Sequence, residues 1–356
     1  MLFSQALTPT GLRGRALNEQ WAEVQNSRNA FRANEESFQH VLNAQGLHVN
    51  DGLVPQDVYQ EFDNVTVERF RSDDGDAFLN DLLPLSVSVS IGRLVRKFRR
   101  ASDAGNAQTS MSGQIGVKMD QTQFSYDGTI IPIIDTGFGR NWREWNAQRA
   151  EGFDALIDDQ RESVAALRAQ ICDNFLDGNK DKNGQTIVLD GLSWTGMRND
   201  SRVAQVNIGA AGVNFDFTDT TKTYALIEAA FKQVINTIWL TNNYGMDLEI
   251  YVSREIASNI ERQSSESYNS ATIITRLAQL SGVAGIKSSS KLSGNEFFGI
   301  PLNGDVRPVS GMGINTVAMP RPVYNSNYNF AVWGAVGWEV KTDFSSRKCS
   351  FMAAEA

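Results

Sequence analysis

From Leu83 to Ile91 the chain reads LPLSVSVSI, with Leu83, Leu85, Val87, Val89 and Ile91 on one face and Pro84 and three serines on the other. A period of two places successive side chains on opposite faces, so this stretch is predicted as a half-buried strand. A second extended stretch runs from Ile115 to Ile134, where Ile115, Val117 and Met119 alternate, Phe124 and Tyr126 follow, and TIIPII closes it. Between the two lies a run of small, uncharged residues. The simplest construction is one long hairpin from about Leu83 to Asp135 with a mobile end. Two strands alone leave a sheet face and both edges unsatisfied, so such a hairpin has to lie on something.

Helical spacing governs other parts of the chain. Leu17, Trp21, Val24, Phe31, Phe38 and Leu42 make an interrupted stripe with charges between them, predicted as a helix whose apolar side needs a partner surface, as in an N-terminal arm lying on a neighbour. The strongest helical signal runs from Asn141 to Phe175, with Trp142, Trp145, Phe153, Leu156, Ile157, Val164, Leu167, Ile171 and Phe175 at intervals of three and four. At about 1.5 Å per residue it would span roughly 50 Å, longer than a compact domain is wide, so an elongated subunit is expected. Gly178, Asn183-Gly184 and Gly191 then supply turns around a short strand, Thr186 to Leu189, and the chain stays turn-rich to Asp216.

An α/β pattern follows. Thr218 or Asp219 is placed as the cap of a helix through TKTYALIEAAFKQVINTIWL, MDLEIYVS as a strand, Ser253 as the cap of REIASNIERQ, and Ala271 to Ser281 as a helix. GIKSSSKL, FFGIPLNGDV and NTVAMP read as short strands. YNFAVWGAVGWEVKTD reads as one or two more, returning to an earlier domain with Trp333 and Trp338 as core candidates.

Composition narrows the function classes. The 356 residues are 41% apolar, enough for an ordinary core divided into two or more compact units, and there is no low-complexity tract. A net charge of −8 argues against a protein that coats nucleic acid. No stretch of about 18 apolar residues occurs and the N-terminus has no signal-like core, so a soluble protein made in the cytoplasm is expected. Cys172 and Cys349 build neither a disulfide framework nor a metal site. With two histidines, His40 and His48, and no phosphate loop, nucleophile elbow or zinc motif, no catalytic residue, cofactor or metal is assigned. Asp158 with Asp159, and Glu255 with Glu261, are carboxylates on amphipathic helices and read as solvated faces.

The order of these parts resembles the major capsid protein of tailed phages, the Hong Kong 97 type, and its encapsulin relatives. The resemblance covers most of the chain from about residue 50 onward. It is carried by IPIIDTGFGRNWREW (Ile131 to Trp145), DNFLDG (Asp173 to Gly178), DGLSW (Asp190 to Trp194) and FFGIPLNGDV (Phe297 to Val306), in that sequence of occurrence. It implies an α+β fold with an N-terminal arm and lead-in (residues 1–82), an extended loop (83–135), a peripheral domain (136–216) with a spine helix at 141–175, an axial α/β domain (217–322) and returning C-terminal strands (323–356). It implies a structural role, in which copies join as hexamers and pentamers into an icosahedral virion head around double-stranded DNA, made in the host cytoplasm. Scaffolding, portal and decoration proteins are further partners it allows. An encapsulin-like compartment is the alternative, and a soluble α/β enzyme a more remote one.

Against that background stands the run GRLVRKFRR, where Arg93, Arg96, Lys97, Arg99 and Arg100 put five basic residues into eight positions of an acidic protein. Three readings stay open: a charged edge that discourages strand mispairing, a nucleic-acid contact with little aromatic support, and a contact with an acidic neighbour. The third is preferred. Residues 141–177 carry eight acids against four bases, and Asp154, Asp158, Asp159 and Glu162 of an adjacent subunit's spine helix are the expected receptors. Some shells of the Hong Kong 97 type are crosslinked between a loop lysine and a distant asparagine. Lys97 and Lys118 stand in the loop here, but no acceptor or catalytic carboxylate matches by motif, and the chemistry is not carried over.

Overall fold

The computed structural model describes residues 22–34, 36, 77–105, 107, 109–112, 116, 119–150, 155–264, 271–323 and 325–355. They fall in two units, Met1–Thr66 and Val67–Ala356. In the first, residues 22–34 form helix α1, with Val24 and Phe31 exposed. Apart from residue 36, also helical, the remainder of the helix expected at 17–42 lies outside the described residues.

The second unit is organised by a five-stranded sheet. Its order is β7 (Ala204–Asn207), β13 (Phe351–Ala354), β10 (Phe297–Ile300), β8 (Leu248–Ser253) and β9 (Val283–Ser289). Every residue of β8 is buried, and its side chains alternate between two cores. Ile250, Val252, Phe297 and Phe351 face one; Tyr251, Phe298 and Met352 face the other. A sheet covered on both faces reads as a continuous apolar run, which is how LEIYVS and FFGI look in sequence.

On the first face lie α5 (Tyr224–Asn236), α6 (Arg254–Ile260) and α7 (Ile273–Leu277). Ile227, Ala230, Phe231, Val234 and Ile235 give α5 its inner stripe. Ser253 caps α6 as expected, its Oγ accepting from the Ile256 amide at 3.2 Å. Helix α5 instead begins after Thr223, because Asp219 spends its carboxylate on the Thr221 amide and hydroxyl in a preceding turn.

On the second face lie α2 (Ala77–Leu82) and α4 (Ala155–Asp177). Phe175 of α4 is the centre of this core, its ring 4.6 Å from Trp338, 5.1 Å from Phe78 and 5.8 Å from Phe298. Fully burying such a ring contributes about 1.5–3 kcal/mol. The spine helix predicted at 141–175 is described as α3 (Trp142–Ala150) and α4, and Asp154 lies outside the described residues.

Helix α4 packs on a four-stranded sheet ordered β1 (Val87–Ser88), β11 (Val306–Ala318), β12 (Tyr328–Val340) and β4 (Ile133–Arg140). Across it Phe138 stacks on Phe330 at 5.0 Å, and Arg140 grips Asp159 of α4 through two hydrogen bonds of 2.6 and 2.9 Å.

Three expectations change here. The alternating LPLSVSVSI does not form the outgoing arm of the hairpin. Leu83–Leu85 make a helical turn containing Pro84, and only Val87–Ser88 extend, pairing in parallel with Val309–Ser310. The hairpin arms are β2 (Val95–Ala101), the basic run itself, and β3 (Phe124–Ile130). Charge on both faces hides β2 from any search for apolar periodicity. Second, NTVAMP is not a separate short strand but belongs mostly to the 13-residue β11, which pairs with β12 in the sheet carrying β4. Third, the turn-rich stretch before Asp216 contains β7, which joins the other sheet beside β13. The short strand expected at Thr186 to Leu189 is reduced to β5 (Val188–Leu189), paired with β6 (Leu192–Ser193). The turn between them is Asp190-Gly191, both with positive φ.

Candidate assembly surface

The hairpin has an inner and an outer face, set by the period of two. Arg96, Phe98, Arg100, Ser125, Asp127 and Thr129 point inward; Lys97, Arg99, Phe124 and Tyr126 point outward. The root is fastened to β12. The Thr129 hydroxyl, fully buried, donates to the Trp338 carbonyl at 2.5 Å. Gly337 lies so close that a Cβ there would sit 2.1 Å from the Ile130 carbonyl oxygen.

The inward charges are answered within the chain. Arg96 lies 3.3 Å from the buried carboxylate of Glu339, which also accepts from Arg307 at 2.8 and 3.0 Å. Arg100 donates to Thr342 at 2.9 Å and Ser125 at 3.2 Å and lies 3.6 Å from Asp127. Arg202 completes the root, donating to the carbonyls of Gly128 (3.0 Å) and Ser193 (2.6 Å) and pairing with Asp200 at 2.8 Å. Burial pushes the Asp200 carboxyl up, but the hydrogen bonds and charge of Arg202, with the amides of Arg202 and Thr195, outweigh it and hold the group below the ordinary carboxylate range.

The outward charges differ. Lys97 pairs with Asp190, and that bond holds the Asp190 carboxyl low. The Arg99 guanidinium covers the Phe124 ring at 4.7 Å, and Arg93 is exposed. Phe124 and Tyr126 are more than half exposed, and Val188 and Leu189 of the small hairpin bearing Asp190 are also exposed. Basic and aromatic groups thus share an uncovered face.

Among the expected acidic receptors, Asp159 is engaged by Arg140, Asp158 lies 3.9 Å from Arg161, and Glu162 is exposed on α4. The structure does not bring the basic run and these acids together within one chain: the run meets Glu339, Asp127 and Asp190 instead. Glu339 and Asp127 escaped the sequence reading because neither lies in an acidic cluster. Lys118 lies outside the described residues.

A pocket of about 300 Å³ lies between Tyr244, Asp305, Lys341, Asp343, Arg347 and Cys349. Its charges pair, Lys341 with Asp305 at 3.6 Å and Arg347 with Asp343 at 3.8 Å. Burial, then the Asp305 charge, push the Cys349 thiol up to about 12, the opposite of what a nucleophile needs. Among the described residues no group of three His, Cys, Asp or Glu is placed to hold a metal, and no helix is long and apolar enough to cross a membrane.

Residues 43–353 match the family of unknown function DUF6260. The chain belongs to that family. No curated protein matches the DUF6260 chain by sequence. In solved structures its fold resembles the capsid of Myoviridae phage XM1, with a TM-score of 0.63 and 12% identity over 86% of this chain and 100% of that one. The capsid of a native GTA particle follows, with a TM-score of 0.57 and 12% identity over 87% of this chain and 100% of that one. The virus-like particle from Pyrococcus furiosus has a TM-score of 0.50 and 10% identity over 79% of this chain and 94% of that one. This DUF6260 chain therefore has the Hong Kong 97 type of capsid fold, α+β throughout.

Proposed function

We propose that the protein is the structural major capsid subunit of a tailed phage. Copies join as pentamers and hexamers into an icosahedral head that encloses double-stranded DNA without sequence-specific binding and without catalysing a reaction. One observation carries the reading: the fold matches a phage capsid chain over the whole of that chain's length. Fold alone does not give function, so the surface has to supply the rest. The hairpin does so, because its root is held by its own chain while its outer face leaves Arg99, Phe124 and Tyr126 uncovered.

On this reading the outer face meets a neighbouring copy's α4, where Glu162 is exposed and Asp158 half-buried. Arg93 and Arg99 are the contacts, since Arg96 and Arg100 are committed at the root. Such pairs fix registry as much as affinity. Scaffolding, portal and decoration proteins are further partners of the same assembly, which forms in the host cytoplasm and ends in the virion.

Negative-stain microscopy and light scattering of the purified protein test this. Closed shells are expected, and particles from host cells should hold nuclease-protected DNA. Protein cargo in place of DNA would move the assignment to an encapsulin-like compartment. A stable monomer would overturn it.

A further inference from the structure

Several half-buried ion pairs of the second unit tie one element of the body to another. Asp81 holds Tyr251 and Lys287, both at 2.6 Å, and Arg198 joins Asp177 at 2.6 Å to Glu296 at 2.7 Å. Glu339 is different. It is 0% exposed, where an ionised carboxylate is costly unless other charges answer it. Its Oε1 accepts from Nε and Nη2 of Arg307, the residue paired with it across the β11–β12 ladder. Its Oε2 faces Nη1 of Arg96, on the hairpin, at 3.3 Å. Both of these atoms are buried, and neither has a hydrogen-bond partner among the described residues. Each is left with the other's charge.

The surroundings make β12 a seat for the hairpin. Gly337 admits the Ile130 carbonyl, Trp338 accepts from Thr129, Glu339 draws Arg96, and Thr342 accepts from Arg100, all within six residues. The Thr129 bond is directional and fixes a point. The Arg96–Glu339 attraction depends on distance more than on angle, so it restores the hairpin to its seat while tolerating a small swing.

We propose that Glu339 is a positioning residue for assembly, drawing Arg96 onto β12 and so setting the direction in which the hairpin leaves the body. This rests on the hairpin being the element that reaches a neighbouring copy. Arg307 keeps one oxygen of Glu339 satisfied whatever the hairpin does, which leaves the other oxygen to the hairpin.

The test uses the full chain with Glu339→Gln, Arg96→Gln and the double substitution, read by hydrogen exchange and microscopy. In both single variants the amides of residues 95–101 and 124–130 are expected to exchange at least tenfold faster, while those of 248–253 stay within twofold of native. The double variant should match the single ones, since all three remove one contact. Closed shells should fall at least tenfold in number, replaced by irregular ones. Native exchange at the hairpin root in either folded variant overturns the inference. If Glu339→Gln does not fold, Arg96→Gln decides, and native exchange at its hairpin root overturns the inference. Failure of the capsid reading is separate: it shows as an unsubstituted protein that forms no particles.

Discussion

Thr129 gives its hydroxyl hydrogen to the carbonyl of Trp338, 209 residues further along the chain, at 2.5 Å in a fully buried site. This bond joins the hairpin to the strand whose Trp338 lines the core around Phe175. Replacing Thr129 by Val keeps the shape and leaves a buried carbonyl unanswered, a loss of about 1–3 kcal/mol. Urea unfolding should show that loss, and Thr129→Ser should recover most of it.

Gly337 tests the closeness of the same seat. A Cβ there meets backbone, the Ile130 oxygen at 2.1 Å, which cannot move aside as a side chain can. Gly337→Ala is expected to cost about 2–3 kcal/mol. Gly92→Ala, with nothing within 4 Å, should stay within about 0.5 kcal/mol of native in the same assay.

Charge reversal on the hairpin must respect its two faces. Arg96→Glu would set a second carboxylate beside buried Glu339 and damage the fold itself. Arg93→Glu with Arg99→Glu alters exposed charges only. That pair should leave the melting temperature within a few degrees of native and suppress shell formation in light scattering, most strongly at low salt.

Acid should loosen the hairpin root through Asp200. Its folded pKa is depressed, so the stability it contributes is fully present above the unfolded value of about 3.9 and is lost as pH falls through the folded value. Melting temperature is expected to fall as pH drops below about 4, and to fall less in Asp200→Asn. That variant should already melt lower at pH 7, because among the described residues Arg202 keeps only Asp127, at 4.0 Å, as a carboxylate partner.

Both thiols should be silent in the folded chain. Cys172 is 0% and Cys349 4% exposed, and burial pushes the Cys349 thiol up to about 12. A thiol reagent at pH 8 is expected to label neither until denaturant is added, and then both; rapid labelling of Cys349 in native protein would contradict its burial.

The elements that can be read locally are those whose neighbours in sequence carry the signal. The stripe of α5, the Ser253 cap, the apolar β8 and the inner face of α4 depend on spacing and on groups within a few residues, and all are legible in the chain. LPLSVSVSI shows the limit. Its alternation is consistent with a strand, yet Leu83–Leu85 make a helical turn around Pro84 and two residues at Val87–Ser88 find a parallel partner near Val309. The arm of the hairpin lies instead in VRKFRRA, where arginines on the inner face replace the apolar residues a periodicity search looks for.

By itself, then, the sequence carried the stripe of α5, the apolar β8 and the basic run as the place to look, and the order of its parts carried the resemblance that implies an α+β fold. Tertiary structure decided what that run touches. Glu339 and Thr342 reach Arg96 and Arg100 from more than 200 residues away, and β7 and β13 become neighbours only when the chain returns. The reason is physical: helix and turn preferences act over a few residues, whereas strand partners and counter-charges for buried ions are settled by which distant segments share a desolvated space.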